Sequence, residues 1–467
     1  MKKLIIVASC GLLAASSLAQ NITERLQKAY QQFEADSQLK HATSSLYVVD
    51  AKTGKVVFDK NSQVGLAPAS TQKIITSVTA FELLGKDYRY KTEFCFKTAA
   101  SKTLFIKPSG DPTFGSWRWK TTGIDSILNN LLNGLDKNNI QVINDVFVDN
   151  SGWDAEYIPD GWIWQDIGNY YGAGAHKLNY RENQFNVNLK SGANVGDSVQ
   201  IVSIDPPEAN SILNQMVSKL QSAPKGSGDN AYVYIPGDKF EKYEIRGTIP
   251  INENKFSISA SMVSPQCVFF TPLLYSLQKR KQFNECHGNA NVLAEPLLLK
   301  KDYTVAYTHY SPFLDSIIYW FLKKSINLYG EALIKTFAYE KKGVGSTDSG
   351  VVIIKDFWKL KGLDEDELNI SDGSGLSPQN RVTTHAQVEI LKFAKSRTWF
   401  PYFYDALPEY NGMKMKNGSI RDVKGFCGYQ KGSDGNGYIF SFLVNNYNGS
   451  SPGVVNKMYK VLDLLKY

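Results

Sequence analysis

Cysteine is scarce, with five residues in 467, too few to staple a disulfide scaffold. No two of them form a C-x-x-C pair, and the five histidines (His41, His176, His287, His309, His385) are dispersed. Neither an H-E-x-x-H run nor any zinc-ligand spacing exists, so no metal site and no cofactor is expected. There is no Ser-, Gln- or Pro-rich tract, and with 43% hydrophobic and 12% aromatic residues a disordered or fibrous chain is excluded. The net charge of +7 is small for this length and is not gathered into a basic arm, which speaks against nucleic acid as a partner. Beyond the first twenty residues no run is apolar and long enough to span a membrane.

What is present begins at that N-terminus. Lys2 and Lys3 precede the apolar run Leu4 to Leu13, and Ser17-Leu18-Ala19 supplies small residues. This is the pattern of a secretory signal peptide over residues 1–19, cut after Ala19, and it implies a periplasmic or secreted protein. The alternative is lipoprotein processing at Val7-Ala8-Ser9-Cys10. Of the remaining cysteines (Cys95, Cys267, Cys286, Cys427), Cys267 and Cys286 flank one local segment, where a disulfide and two free thiols are both compatible with the spacing.

Residues 22–33 carry helical spacing after Asn21. Two strand-like runs, Ser45 to Asp50 and Lys55 to Phe58, flank the turn Ala51 to Gly54, a hairpin signature. Pro68-Ala69-Ser70 then opens a helix through Ile74, Ile75, Val78 and Phe81, ending at Gly85. From about residue 93 to 299 short strand runs (Val142 to Val148, Gln184 to Leu189, Tyr232 to Ile235) alternate with Gly-, Asn- and Pro-rich turns. This reads as an inserted, mostly β region of one or two lobes between residues 20–92 and 300–467. Helical spacing resumes after Ser311-Pro312. Strand candidates follow at Gly425 to Tyr429 and Tyr438 to Val444, then an amphipathic helix at Val454 to Leu465. The order predicts an α+β fold.

Ser70-Thr71-Gln72-Lys73 fits S-x-x-K. The pattern recurs at Ser37, Ser222 and Ser276, but only Ser70 opens a helix, which puts Lys73 one turn along on the same face. A serine hydroxyl attacks only when a base takes its proton, and an amine three residues on can reach it. The helix start also offers free N–H groups to a developing oxyanion. Ser325-Ile326-Asn327 supplies an S-x-N triplet. S-x-x-K, S-D-N and K-T-G together mark the penicillin-recognising serine acyl-transferases, so a third element is required. Lys52-Thr53-Gly54 and Lys190-Ser191-Gly192 match it literally, yet the first is the hairpin turn and the second falls in the insertion. Only Lys416-Asn417-Gly418-Ser419 follows the S-x-N and leads into the last strands, with Asn replacing Thr or Ser.

Pro68 to Thr76, Ser109-Gly110-Asp111-Pro112-Thr113, Lys323 to Leu328 and Ser371-Asp372-Gly373-Ser374-Gly375-Leu376-Ser377 together resemble the class C low-molecular-mass penicillin-binding proteins. These are D-alanyl-D-alanine carboxypeptidases and endopeptidases. The resemblance covers essentially the whole mature chain, including a gap on the order of 250 residues between the first two elements. It implies a β-lactamase/transpeptidase-like domain, an antiparallel sheet flanked by helices, with the large insertion. It further implies that Ser70 is the nucleophile, Lys73 its general base and Ser325 a proton relay to the leaving amine. Asn327 would hold a substrate amide, Lys416 the terminal carboxylate of a peptidoglycan stem peptide, with Asn417 and Ser419 assisting. Backbone N–H groups of Ser70 and Ser419 would form the oxyanion hole, and β-lactams would acylate Ser70. Asp372 and Ser374 read as turn formers beside the site. Trp117, Trp119, Trp162, Trp164, Tyr170 and Tyr171 read as satellite core or a sugar-binding face. A serine β-lactamase and a non-catalytic cell-wall-binding homologue are the alternatives.

Overall fold

A computed structural model describes residues 22–97, 102–235, 242–280, 303–433 and 435–467, with residues 289–293 as backbone. Residues 1–19, read above as a signal peptide, with Cys10, and also Cys286, lie outside these residues. Cys267 is a free, exposed thiol, while Cys95 and Cys427 are free and buried. Among the described residues no helix is long and apolar enough to cross a membrane.

The chain forms two compact units. The first joins the N-terminal residues through Leu83, the short piece Ile318–Ser325 and Ile354–Tyr467. Its centre is a six-stranded antiparallel sheet in the order Glu409–Tyr410, Met413–Ile420, Val423–Lys431, Gly437–Asn445, Thr43–Asp50, Val56–Lys60. Six consecutive residues of Thr43–Asp50 are buried, as expected of a strand covered on both faces. Leu46 and Val48 pack with Leu26, Tyr30 and Phe33 of the helix at residues 22–34 and with Val454, Met458 and Val461 of the C-terminal helix Ser451–Leu462. Ser45 and Tyr47 face the other way. Ser45 Oγ lies 2.6 Å from Thr384 Oγ1, and the Tyr47 ring lies 5.5 Å from His385. Both contacts reach the helix Thr384–Lys395, which Thr383 caps by accepting from Ala386 N–H at 2.9 Å. Beside it runs the helix Lys73–Leu83, pinned by Trp358 Nε1 donating to Thr79 Oγ1 at 2.9 Å and by Phe81 stacked 4.8 Å from Trp399.

At the start of the helix Thr384–Lys395, His385 Nδ1 meets Glu367 Oε2 at 2.9 Å. The hydrogen bond to Glu367 raises the His385 pKa. On Glu367 burial acts upward, but the bonds from His385 and Thr383 prevail and lower it. The imidazolium contribution is complete below about pH 6.5 and fades as pH rises through the raised value; the carboxylate contribution fades as pH falls through its lowered one. His385→Gln should therefore flatten the pH dependence of Tm between about pH 6 and 8. A thermal-melt series at several pH values checks this, and an unchanged slope contradicts it.

The second unit comprises Leu84–Ile317 and Ile326–Ile353. Its strand Lys91–Phe96 pairs with Thr304–Tyr310 inside one five-stranded sheet. Two three-stranded sheets accompany it. The helices Ile124–Lys137 and Pro265–Lys279 were not anticipated. Ile127, Leu128, Leu131, Leu132 and Leu135 of the first make a buried helical stripe, but the intervening Asn and Asp residues imitate turn composition. A buried polar centre holds the unit: Glu182 Oε1 accepts from Ser116 Oγ (2.8 Å), Arg118 Nε (2.6 Å) and Tyr329 Oη (2.8 Å). In the Ser109–Thr113 motif, Asp111 Oδ1 accepts from Thr113 N–H and Oγ1 at 2.8 and 2.6 Å, and burial pushes its carboxyl up to about 6. Trp117, Trp164 and Tyr170 are exposed and Trp162 is buried, while Trp119 Nε1 donates to Ser316 Oγ at 3.0 Å.

The helical run after Ser311 is two helices, Leu314–Lys323 and Asn327–Lys342, separated at Ser325, whose φ is +57°. Ser311 does not cap the first. Its Oγ accepts instead from Tyr90 N–H at 2.9 Å.

Candidate active site

Pro68 does not open an α-helix directly. It caps a 3₁₀ turn, Ala69–Gln72, and the α-helix starts at Lys73. Ala69 takes φ +46°, a conformation that is costly for a residue with a Cβ. The turn is held by Thr71, whose Oγ1 donates to Pro68 O at 2.7 Å and accepts from Gln387 Nε2 at 2.8 Å. Ser441 Oγ in turn donates to Gln387 Oε1 at 2.6 Å. This chain ties the turn to the helix Thr384–Lys395 and to a central strand, and its three side chains are completely buried. The result is a partly exposed Ser70 with Oγ 2.8 Å from the buried Lys73 Nζ. That distance suits proton transfer.

Lys73 Nζ also donates to Ser374 O at 2.8 Å and lies 5.7 Å from the Phe321 ring. A carbonyl can only accept, so it fixes the direction of one N–H and with it the orientation of the amine. The loop carrying Ser374 is locked by Asp372: Oδ1 accepts from Gly375 N–H (2.8 Å), Asn380 Nδ2 (2.9 Å) and Gln72 Nε2 (3.0 Å), and Oδ2 from Ser377 N–H (2.6 Å). Thr76 Oγ1 donates to Gly373 O at 2.7 Å. Asp372 is thus a turn former, as expected. The contact of Ser374 with Lys73 through its carbonyl was not foreseen, because a backbone acceptor leaves no mark in side-chain chemistry.

The third element lies on the strand Met413–Ile420. Lys416 is fully buried, its Nζ donating to Asn417 O at 2.8 Å and Asn417 Oδ1 at 3.0 Å. Burial, and then the charges of Lys73 and Lys424, hold its ammonium well below the ordinary lysine range. With Oδ1 on Lys416, the NH2 of Asn417 is the donor that remains. Ser419 is exposed. A Cβ on Gly418 would stand 2.5 Å from Pro68 O and 2.9 Å from both Ser70 N and Thr71 N, so the strand touches the Ser70 turn at that residue. Gly418→Ala should push the turn away and lower acylation by about 100-fold, the scale of a 1 Å misplacement. Acylation rates compared with the wild type check this; an unimpaired rate contradicts it.

The two literal K-T-G matches lie elsewhere. Lys52-Thr53-Gly54 is a hairpin turn in which Asp50 Oδ1 accepts from Thr53 N–H and Lys52 N–H at 2.6 and 3.1 Å. Lys190 ends the strand Gln184–Lys190 and is exposed. Ser325 belongs to the first unit, two residues beyond the helix whose Phe321 contacts Lys73, and is partly buried. Asn327 opens the next helix, in the second unit, and its Nδ2 donates to Tyr171 O at 2.7 Å. The first unit thus brings together Ser70, Lys73, Lys416, Asn417 and the Gly418 backbone.

Comparison with known proteins identifies the family. The model of the D-Ala-D-Ala carboxypeptidase 3 (S13) family matches residues 26–409. A D-alanyl-D-alanine carboxypeptidase of Actinomadura sp. (strain R39) is 24% identical, over 94% of this chain and 85% of its own. The D-alanyl-D-alanine carboxypeptidase DacB of Haemophilus influenzae is 22% identical, over 84% and 83%. The crystal structure of penicillin binding protein 4 (dacB) from H. influenzae superposes with a TM-score of 0.76 at 19% identity, covering 96% of this chain and 99% of that one. The chain belongs to the D-Ala-D-Ala carboxypeptidase 3 (S13) family and is a serine-type D-Ala-D-Ala carboxypeptidase of the class C penicillin-binding protein type.

Proposed function

We propose that the protein works in the periplasm on peptidoglycan stem peptides, with Ser70, Lys73, Ser325, Asn327, Lys416, Asn417 and Ser419 in the roles the motif order gives them. Lys73 takes the Ser70 proton as Oγ bonds to the carbonyl carbon of the penultimate D-Ala. The oxyanion is met by N–H groups of Ser70 and Ser419, each such donor contributing about 3 kcal/mol in acyl-transfer enzymes. Collapse breaks the peptide bond, and the leaving amine receives its proton through Ser325. Water then attacks the acyl-serine, releases the shortened peptide and returns the proton to Ser70. Lys416, aided by Asn417, faces the terminal carboxylate. A β-lactam presents a strained amide and a carboxylate to the same groups and leaves a slowly hydrolysed adduct.

The observation that carries this reading is the 2.8 Å contact between Ser70 Oγ and Lys73 Nζ, on a turn that the Lys416 strand touches at Gly418. Its test is D-alanine release from a stem-peptide mimic ending in D-Ala-D-Ala, measured beside benzylpenicillin turnover. D-alanine release with slow penicillin turnover is expected. Rapid penicillin hydrolysis without D-alanine release would make the protein a β-lactamase. Sedimentation with peptidoglycan and neither activity would make it a binding homologue.

A further inference from the structure

Five lysines are buried among the described residues: Lys73, Lys177, Lys335, Lys416 and Lys424. Four of them donate to an oxygen. Lys73 reaches Ser374 O, Lys177 reaches Ser151 O at 2.6 Å, Lys335 reaches Glu156 O at 2.7 Å, and Lys416 reaches Asn417 O. The Lys424 ammonium has neither a hydrogen bond nor an ion pair within the protein among the described residues, and lies only over the Phe426 ring at 5.6 Å. A buried cation normally has a partner, because losing water without one is costly. Its nitrogen is also absent from the sealed, unpartnered polar atoms, so it keeps access to solvent or to a ligand.

Its position says which ligand. Lys424 stands directly opposite Ser419 across the antiparallel pair, and Phe426 opposite Asn417. Opposed residues share a face of the sheet, so Asn417, Ser419, Lys424 and Phe426 form one patch. By leaning over Phe426 the ammonium leans towards Asn417. On its outer edge the strand has no pairing strand beyond Lys414 among the described residues, since Glu409–Tyr410 pairs only with Lys414 and Met413. An extended peptide reaching Asn417 and Ser419 therefore comes within range of Lys424. Its charge is already felt at Lys416, and burial holds its own ammonium below the usual lysine range.

We propose that Lys424 is a specificity-determining residue, a second cation that, with Lys416, receives the terminal carboxylate of the substrate. This rests on the function proposed above. Asn417 stands where a hydroxyl is usual, and the added charge next to it compensates for the lost O–H donor.

The test removes the carboxylate from the ligand as well as the lysine from the protein. Acylation rates are measured for benzylpenicillin and its methyl ester, and kcat/KM for a D-Ala-D-Ala peptide and its C-terminal amide, with wild type, Lys424→Gln and Lys424→Arg. Lys424→Gln should lower the rate on the carboxylate ligands about tenfold, mainly through KM, and change the neutral ligands less than about twofold. Lys424→Arg should restore most of the loss. Equal losses on charged and neutral ligands, or no loss on the charged ones, would overturn the inference. If Lys424→Gln does not fold, Lys424→Met, which keeps the length and removes the charge, takes its place with the same expected loss confined to the carboxylate ligands. A wild-type protein that none of these ligands acylates would overturn the underlying function as well, an outcome distinct from normal acylation without carboxylate selectivity.

Discussion

Lys73→Met should lower acylation of Ser70 by roughly two to four decades, the range general-base catalysis supplies. Methionine preserves length and most of the volume, so the packing beside Phe321 persists while the proton acceptor is lost. Ser70 Oγ then has no basic nitrogen at 2.8 Å, and water at neutral pH is a poor substitute. The bond to Ser374 O disappears too, but the loop stays locked by the four donors on Asp372. The loss should therefore fall on the rate and leave the fold in place. Stopped-flow or gel-based penicillin acylation, with a thermal melt to confirm folding, measures it. A loss below tenfold in a folded protein would remove Lys73 from the base role.

Lys416→Ala should be the second severe variant. A charge-assisted contact with a carboxylate contributes roughly 1.5–3 kcal/mol, so kcat/KM for penicillin and peptide should fall by about one to two decades. Lys52→Ala and Lys190→Ala serve as controls. Both residues are exposed, so both should stay within about 0.5 kcal/mol of wild-type stability with acylation near normal. If Lys52→Ala abolished acylation and Lys416→Ala did not, the assignment of the third motif element would be wrong. Asn417→Thr should maintain or raise the rate of the Lys416 protein; a large loss would mean that the contact of Asn417 Oδ1 with Lys416 is itself needed.

Part of this candidate site was legible in the sequence because its contacts are local. Ser70 and Lys73 are three residues apart, and the turn that leads into the helix at Lys73 brings them together. The hairpin Thr43–Asp50 with Val56–Lys60 and the final strands announced themselves through apolar runs between turn residues. Three kinds of feature stayed hidden. Helix Ile124–Lys137 was masked by Asn residues on its solvent face. The break at Ser325, at φ +57°, lies in a run whose apolar spacing continues on both sides. Contacts that depend on register, such as Ser419 opposite Lys424, or on carbonyls, such as Ser374 O on Lys73, have no sequence signature. The 3₁₀ turn at Ala69–Gln72 is of the same kind: it is imposed by Gln387, Ser441 and the strand at Gly418, all far away in sequence.

The central claim is that Ser70 is the acylated nucleophile, and it is tested most directly by mapping a penicillin adduct. The protein is incubated with a fluorescent penicillin, digested, and the modified peptide sequenced by mass spectrometry. The account predicts one adduct, on Ser70, and no labelling of Ser70→Ala under the same conditions. An adduct on another residue, or labelling that survives Ser70→Ala, would contradict it.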